Sequence, residues 1–153
     1  MERTLETPIG TMLLTEEDGA LTGFGWGSGG MDESPLLLEA ERQLREYFAG
    51  ARREFDLPLA PKGTEFQRLV WNALRTIPYG ECRSYGDIAA QLGRPKACRA
   101  VGMANHRNPI AVIVPCHRVV GADGSLTGYA GGLDKKRFLL TLEAGGAAAG
   151  TQP

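Results

Sequence analysis

The rhythm of the chain changes at "APKG" (residues 60–63). Before it, apolar residues come in short runs broken by glycine and proline; after it, they recur mostly at helical spacing. Such a chain is predicted to fold as an α+β protein, with a small sheet-bearing front and a mostly helical back. In the front, "RTLETPIG", "TMLLTEEDG" and "ALTGFGWG" read as strands. "SPLLLEAERQLREYFAG" reads as a helix capped by Ser34, entered through Pro35 and stopped by Gly50, with Leu37, Ala40, Leu44, Tyr47 and Phe48 on one face. "RREFDLPL" is expected to add an edge strand, since Pro58 bars a central position. Behind the break, Thr64 and Gln67 have the spacing of a capping box, and Phe66, Leu69, Val70, Ala73, Leu74 and Ile77 are expected to face the core. "SYGDIAAQLG", from a Ser84 cap to Gly93, and "RPKACRAVGMANHRN", with Pro95 near its start, outline a helix-turn-helix. "IAVIV" (110–114) reads as a buried strand, "GADGSLTGYAGG" as a glycine-rich loop and "LDKKRFLLTLE" as a last helix. The expected division is 1–60, 61–145 and a disordered tail, 146–153.

Charge is distributed unevenly along this division. Residues 1–60 carry five basic and twelve acidic side chains, a net −7, whereas residues 66–118 carry eight basic and two acidic, a net +6. A polyanionic partner for the second half is therefore plausible, despite an overall net charge of −1. The three cysteines, Cys82, Cys98 and Cys116, are too few and too scattered for a disulfide framework. With a polar N-terminus and no apolar run near the ~18–20 residues of a membrane span, the sequence predicts a cytoplasmic protein with reduced thiols and no membrane partner.

Within "IVPCHRVVG" (113–121), a cysteine stands beside a histidine where an apolar run ends in proline. A thiolate is a strong nucleophile and a neighbouring imidazole favours it. Adjacent residues of a strand face apart, however, so the chain must bend at Pro115–Cys116 or a water must link thiol and ring. A buried structural cysteine beside a surface histidine is the plainer alternative. The second helix of the pair carries the small residues Cys98, Ala100, Gly102 and Ala104 around one long cation, Arg99. Such a face suits sequence-independent contact in a minor groove, with Arg99 inserted; close helix packing is the alternative.

Together, "TEFQRLVWNALRTIPYGECRSYGDIA", "RAVG" and "NPIAVIVPCHRVVGADGSLTGYAGG" resemble the O6-alkylguanine-DNA alkyltransferases, closely over residues 62–143 and loosely at "TPIGTMLLT". The resemblance implies a ribonuclease-H-like front, a helix-turn-helix of winged-helix type behind it, and DNA repair without metal or cofactor. The partner it implies is double-stranded DNA containing O6-alkylguanine, bound mainly through the minor groove by a monomer. Activity on O4-alkylthymine, tolerance for larger alkyl groups and clustering along DNA stay open. The damaged base is flipped into a pocket. Cys116 matches the alkyl acceptor, His117 the residue that deprotonates it through a water, and Glu143 the carboxylate that orients His117. Asn108 matches a brace of the active-site turn, and Tyr85 a donor to guanine N3 that also helps rotate the 3′ phosphate. Arg99 matches the arginine that fills the gap in the stack, on a DNA-facing helix with Cys98, Ala100 and Gly102. The carbonyls of Cys116 and Val119 match acceptors for the guanine amino group. Tyr129, Ala130 and Gly131 match the loop that closes on the base, with Ala130 standing where some relatives have serine. Some relatives hold zinc near the N-terminus, but residues 1–60 contain no cysteine or histidine, so that site is not expected.

Two other classes compete. A cysteine hydrolase needs a second histidine and an oxyanion hole, for which only His106 is on offer. A damage sensor of the same fold binds without transfer, and relatives of that kind replace the cysteine that this chain keeps.

Overall fold

Two tight turns build the sheet. Thr7 pairs with Gly10 across Pro8–Ile9, and Glu17 pairs with Ala20 across Asp18–Gly19. Asp18 and Gly19 both have positive φ, +51° and +79°, which matches the right-handed twist of the strands they join. In the computed structural model, which describes residues 1–145, these turns connect β1 (Glu2–Thr7), β2 (Gly10–Glu17) and β3 (Ala20–Trp26) in the antiparallel order β1-β2-β3. The expected tail, 146–153, lies outside the described residues.

One face of this sheet buries Leu5, Met12, Leu14, Leu21 and Phe24, and helix α1 (Pro35–Phe48) covers it with Leu37, Ala40, Leu44 and Tyr47. The Ser34 side chain accepts from the Leu37 amide at 3.0 Å, with Pro35 opening the helix. "RREFDLPL" does not form the expected strand. Only Leu59 bridges the sheet: the Leu21 amide donates to Pro58 and the Ala60 amide to Leu21. Two prolines and the linker leave too little regular chain for a ladder.

The back half is helical: α2 (Glu65–Leu74), α3 (Tyr85–Gln91), α4 (Cys98–His106) and α5 (Leu133–Glu143). A two-residue parallel pair, β4 (Arg83–Ser84) with β5 (Val119–Val120), ties the start of α3 to the stretch after Cys116. Thr64 and Ser84 each open a helix with a complete capping box. On and just after α2, four of the six expected inner residues, Val70, Ala73, Leu74 and Ile77, are buried. Leu69 is exposed and Phe66 half-buried, while Trp71 is buried and its indole N–H donates to the Ala104 carbonyl at 2.8 Å. That bond binds α2 to α4. Helix α4 starts three residues after Pro95, because Arg94–Ala97 is spent in a turn closed by the Ala97 amide on Arg94.

The largest departure is "IAVIV". It is buried, as expected, but it is a turn. Ile110 alone bridges β3, through the Phe24 amide on Pro109 and the Ala111 amide on Phe24. The chain then folds back through Val112 at φ +69°, with the Val114 amide donating to Ile110 at 3.0 Å. A β-branched residue in that region costs of order 1–3 kcal/mol. The turn delivers Cys116 to the junction between sheet and helices.

Candidate active site

Asn108 holds the turn from inside. Its amide nitrogen donates to the carbonyls of Val114 (2.8 Å) and Ile110 (3.2 Å), and its oxygen accepts from the Ile110 amide (3.0 Å). Cys116 then opens a one-turn 3₁₀ helix, Cys116–Arg118. The bend at Pro115–Cys116 removes the strand's alternation, so Cys116 and His117 are not forced to opposite faces.

His117 is fully buried, and its Nε2 lies 2.7 Å from Glu143 Oε2. Its Nδ1 is buried without a partner among the described residues. An ionised Glu143 fixes the ring proton on Nε2 and leaves Nδ1 as an acceptor. Glu143 itself is held by four further contacts. Arg118 donates Nε to Oε1 (2.7 Å) and an Nη to Oε2 (2.9 Å), the Tyr47 hydroxyl donates to Oε2 (2.6 Å), and the Gly80 amide lies 3.4 Å from Oε1. Burial opposes ionisation of Glu143, but His117 and Arg118 outweigh it and hold the carboxyl far below the usual range. Burial pulls the His117 ring down against Glu143, and burial pushes the Cys116 thiol up against Asn108 and Lys136. At neutral pH both thiol and imidazole are therefore uncharged.

Cys116 opens onto a cavity of about 330 Å³ walled by Phe24, Trp26, Asn105, Asn108, Tyr129 and Ala130. That is within the usual size of small-ligand sites. The Tyr129 hydroxyl and the Asn105 side-chain oxygen are buried without partners among the described residues. A slightly larger cavity, about 390 Å³ beside Arg53, Arg75 and Tyr79, does not touch Cys116. Among the described residues no cluster of His, Cys, Asp or Glu could hold a metal, and no helix is long and apolar enough to cross a membrane.

The singled-out residues fall into four groups. Cys116, Asn108, Tyr129 and Ala130 line the cavity, and His117, next in the chain to Cys116 and outside that lining, pairs with Glu143. Cys98, Arg99 and Ala100 are exposed on α4, outside that wall. Tyr85 and Gly102 sit between: the Tyr85 hydroxyl pairs with Thr127, and a Cβ on Gly102 would lie 3.7 Å from the Tyr85 ring. Gly131 packs on Trp26, and the Val119 carbonyl accepts from the buried Lys136 ammonium at 2.6 Å.

Arg118 is one of the eight basic residues counted over 66–118, yet it is buried and neutralised by Glu143. Sequence reading missed Tyr47 as a ligand of Glu143, and Phe24, Trp26, Asn105 and Lys136. Lys136 carried a signal: it shares the i, i+3 and i+7 phase of Leu139 and Glu143, the inner face of α5.

Known proteins resemble this arrangement along the whole chain. Residues 1–61 match the family model of the 6-O-methylguanine DNA methyltransferase ribonuclease-like domain, and residues 65–145 match that family's DNA-binding domain. A methylated-DNA–protein-cysteine methyltransferase of Methanosarcina acetivorans is 55% identical over 147 residues, covering 90% of this chain and 94% of its own. The constitutive enzyme of that name from Bacillus subtilis is 50% identical, covering 92% and 93%. The crystal structure of Mycobacterium tuberculosis OGT in complex with DNA superposes with a TM-score of 0.89 at 50% identity, over 97% of this chain and 95% of that one.

Proposed function

The chain belongs to the 6-O-methylguanine DNA methyltransferase family and repairs DNA by alkyl transfer to a protein cysteine, and we propose that Cys116 is the acceptor and is used once. The observation that carries this reading is the Cys116 thiol at the wall of a cavity, next in the chain to a buried histidine whose Nε2 is held by a buried carboxylate.

The flipped O6-alkylguanine enters this cavity. His117 Nδ1 takes the thiol proton through a water, and Glu143 stabilises the ring as it charges. The sulfur electron pair attacks the alkyl carbon, the carbon–O6 bond breaks, and its electrons leave with guanine, which regains a proton on its ring. The product is a thioether with no hydrolytic exit, so each molecule acts once. Asn108 keeps the turn in place. Tyr85 donates to the departing ring, where a donor offsets developing charge. The carbonyls of Cys116 and Val119 accept from the amino group. Tyr129, Ala130 and Gly131 close over the base. Arg99 enters the stack from the minor groove, with Cys98, Ala100 and Gly102 beside it. Residues 1–60 form the supporting domain and 61–145 the DNA-binding and acceptor domain. We assign a monomer acting in the cytoplasm, where the thiol stays reduced.

The test is stoichiometric. Incubation with excess duplex carrying O6-methylguanine is expected to restore one guanine per protein molecule. Intact and peptide mass should show one methyl group, on Cys116. Continued turnover on an ester or peptide supports a hydrolase instead, and tight binding without a mass change supports a sensor.

Arg99→Ala separates flipping from chemistry. Repair within duplex DNA is expected to fall at least tenfold, as loss of a few kcal/mol of help in unstacking implies, while reaction with free O6-alkylguanine base stays near wild type. Equal losses on both substrates remove Arg99 from the flipping step.

A further inference from the structure

The front domain reaches the acceptor cavity through the end of β3. Trp26 closes β3 and lines the cavity beside Phe24 and Cys116. Its Nε1 donates to the Ile9 carbonyl at 2.8 Å, which fixes the ring against the β1–β2 turn. Its face or edge meets Tyr129 at right angles, with ring centroids 5.7 Å apart and an interplanar angle of 84°, a favourable aromatic geometry. Gly131 lies so close that a Cβ there would sit 2.5 Å from the indole. The loop 129–131 therefore rests on Trp26, and only glycine permits the approach.

We infer that Trp26 is a specificity-determining residue: by filling one side of the acceptor cavity and seating the Tyr129–Gly131 loop, it limits the size of the group that can be transferred. This rests on the proposed function. A substituent on O6 must place its first carbon at the Cys116 sulfur, so any further atoms extend within the same cavity. Its walls there, Phe24, Trp26 and Tyr129, are aromatic. Trp26 is anchored at its nitrogen and abutted by Tyr129, so it has little freedom to give way. The acidic front domain, which has no charge complementarity to DNA, thereby acts on the alkyl side of the substrate.

The experiment compares rate constants for O6-methylguanine and O6-benzylguanine, both placed in the same oligonucleotide. Trp26→Ala is expected to raise the benzyl-to-methyl ratio roughly tenfold or more, the range in which apolar pockets discriminate by size. Trp26→Leu should shift it in the same direction by less, and serves if the alanine variant folds poorly. Trp26→Phe, which keeps an aromatic wall, should restore the ratio towards wild type. Gly131→Ala should lower it by crowding the loop against the indole. A parallel loss of both rates, or an unchanged ratio in all variants, would overturn the assignment and leave Trp26 a packing residue. Absence of transfer from either base by the wild-type protein would sink the proposed function first and this inference with it.

Discussion

Glu143→Gln is expected to destabilise the protein by about 3–5 kcal/mol, the cost of leaving a buried charge unpaired. Arg118 would keep its charge with one hydrogen bond to the Ile77 carbonyl (2.7 Å) but no counterion, and it is 7% exposed. For a domain of this size the melting temperature should fall by roughly 10 °C. The exposed pair Arg42–Glu39 on α1 supplies the contrast, since its two side chains are 53% and 41% exposed; Arg42→Ala should cost far less, because solvent screens the pair. Arg118→Met added to Glu143→Gln should recover part of the loss by removing the orphaned charge. The sign with pH also follows. The Glu143 carboxyl is held far below its unfolded value of about 4.3, so its stabilisation is complete above that value and is lost as pH falls. Urea titrations from pH 7 to pH 3 should show a steeper acid loss in wild type than in Glu143→Gln. A Glu143→Gln cost no larger than that of Arg42→Ala would overturn the buried-cluster account.

The same cluster shows what the sequence could and could not reveal about the fold. Caps were legible because they are local: Ser34, Thr64 and Ser84 each act on an amide three residues ahead. The three strands were legible because glycine stands in or beside their turns, and α5 because its leucine-rich run lies between glycines. "IAVIV" misled because burial and extension are different things. Five apolar residues in a row say that a segment is inside, and a tight turn around Asn108 buries them as well as a strand does. The place of Trp71 on α2 was not legible, for a related reason. Trp71 wins the core position because its N–H finds the Ala104 carbonyl, a partner 33 residues away that no periodicity encodes.

For the candidate site, the short blocks around Cys116 pointed to the proposed acceptor and its neighbours, because those residues are close in sequence or fall in recurrent motifs. What they omitted comes from the front domain or from deep in helices. Tyr47 reaches Glu143 across 96 residues, and Trp26 meets Tyr129 across 103 positions of chain. Net charge was likewise legible only as a sum. Arg118 adds to the basic count of residues 66–118, but it is spent inside, so the surface that can meet a phosphate backbone is less basic than composition suggests.

His117→Phe is expected to slow alkyl transfer at pH 7 by about 10²–10⁴-fold, the usual contribution of a general base, and to change the shape of the pH profile. In the wild-type protein, burial lowers the His117 pKa and raises that of Cys116. Between those two values the thiol and the ring are both neutral, and moving the proton from one to the other alters no net protonation. The rate should therefore be level through neutral pH. It should fall only on the acid side, below the ordinary histidine value of about 6.5, where the ring is already protonated and cannot accept. Without the ring, the thiol must lose its proton to solvent. The variant's rate should then rise about tenfold per pH unit, until pH reaches the raised pKa of Cys116. Single-turnover rates on free O6-alkylguanine base from pH 5 to pH 9 read this directly, without interference from DNA binding. Phenylalanine keeps the bulk of the ring, and circular dichroism with a melting curve checks the fold. If the variant's profile runs parallel to that of wild type, His117 positions the turn and does not carry the proton.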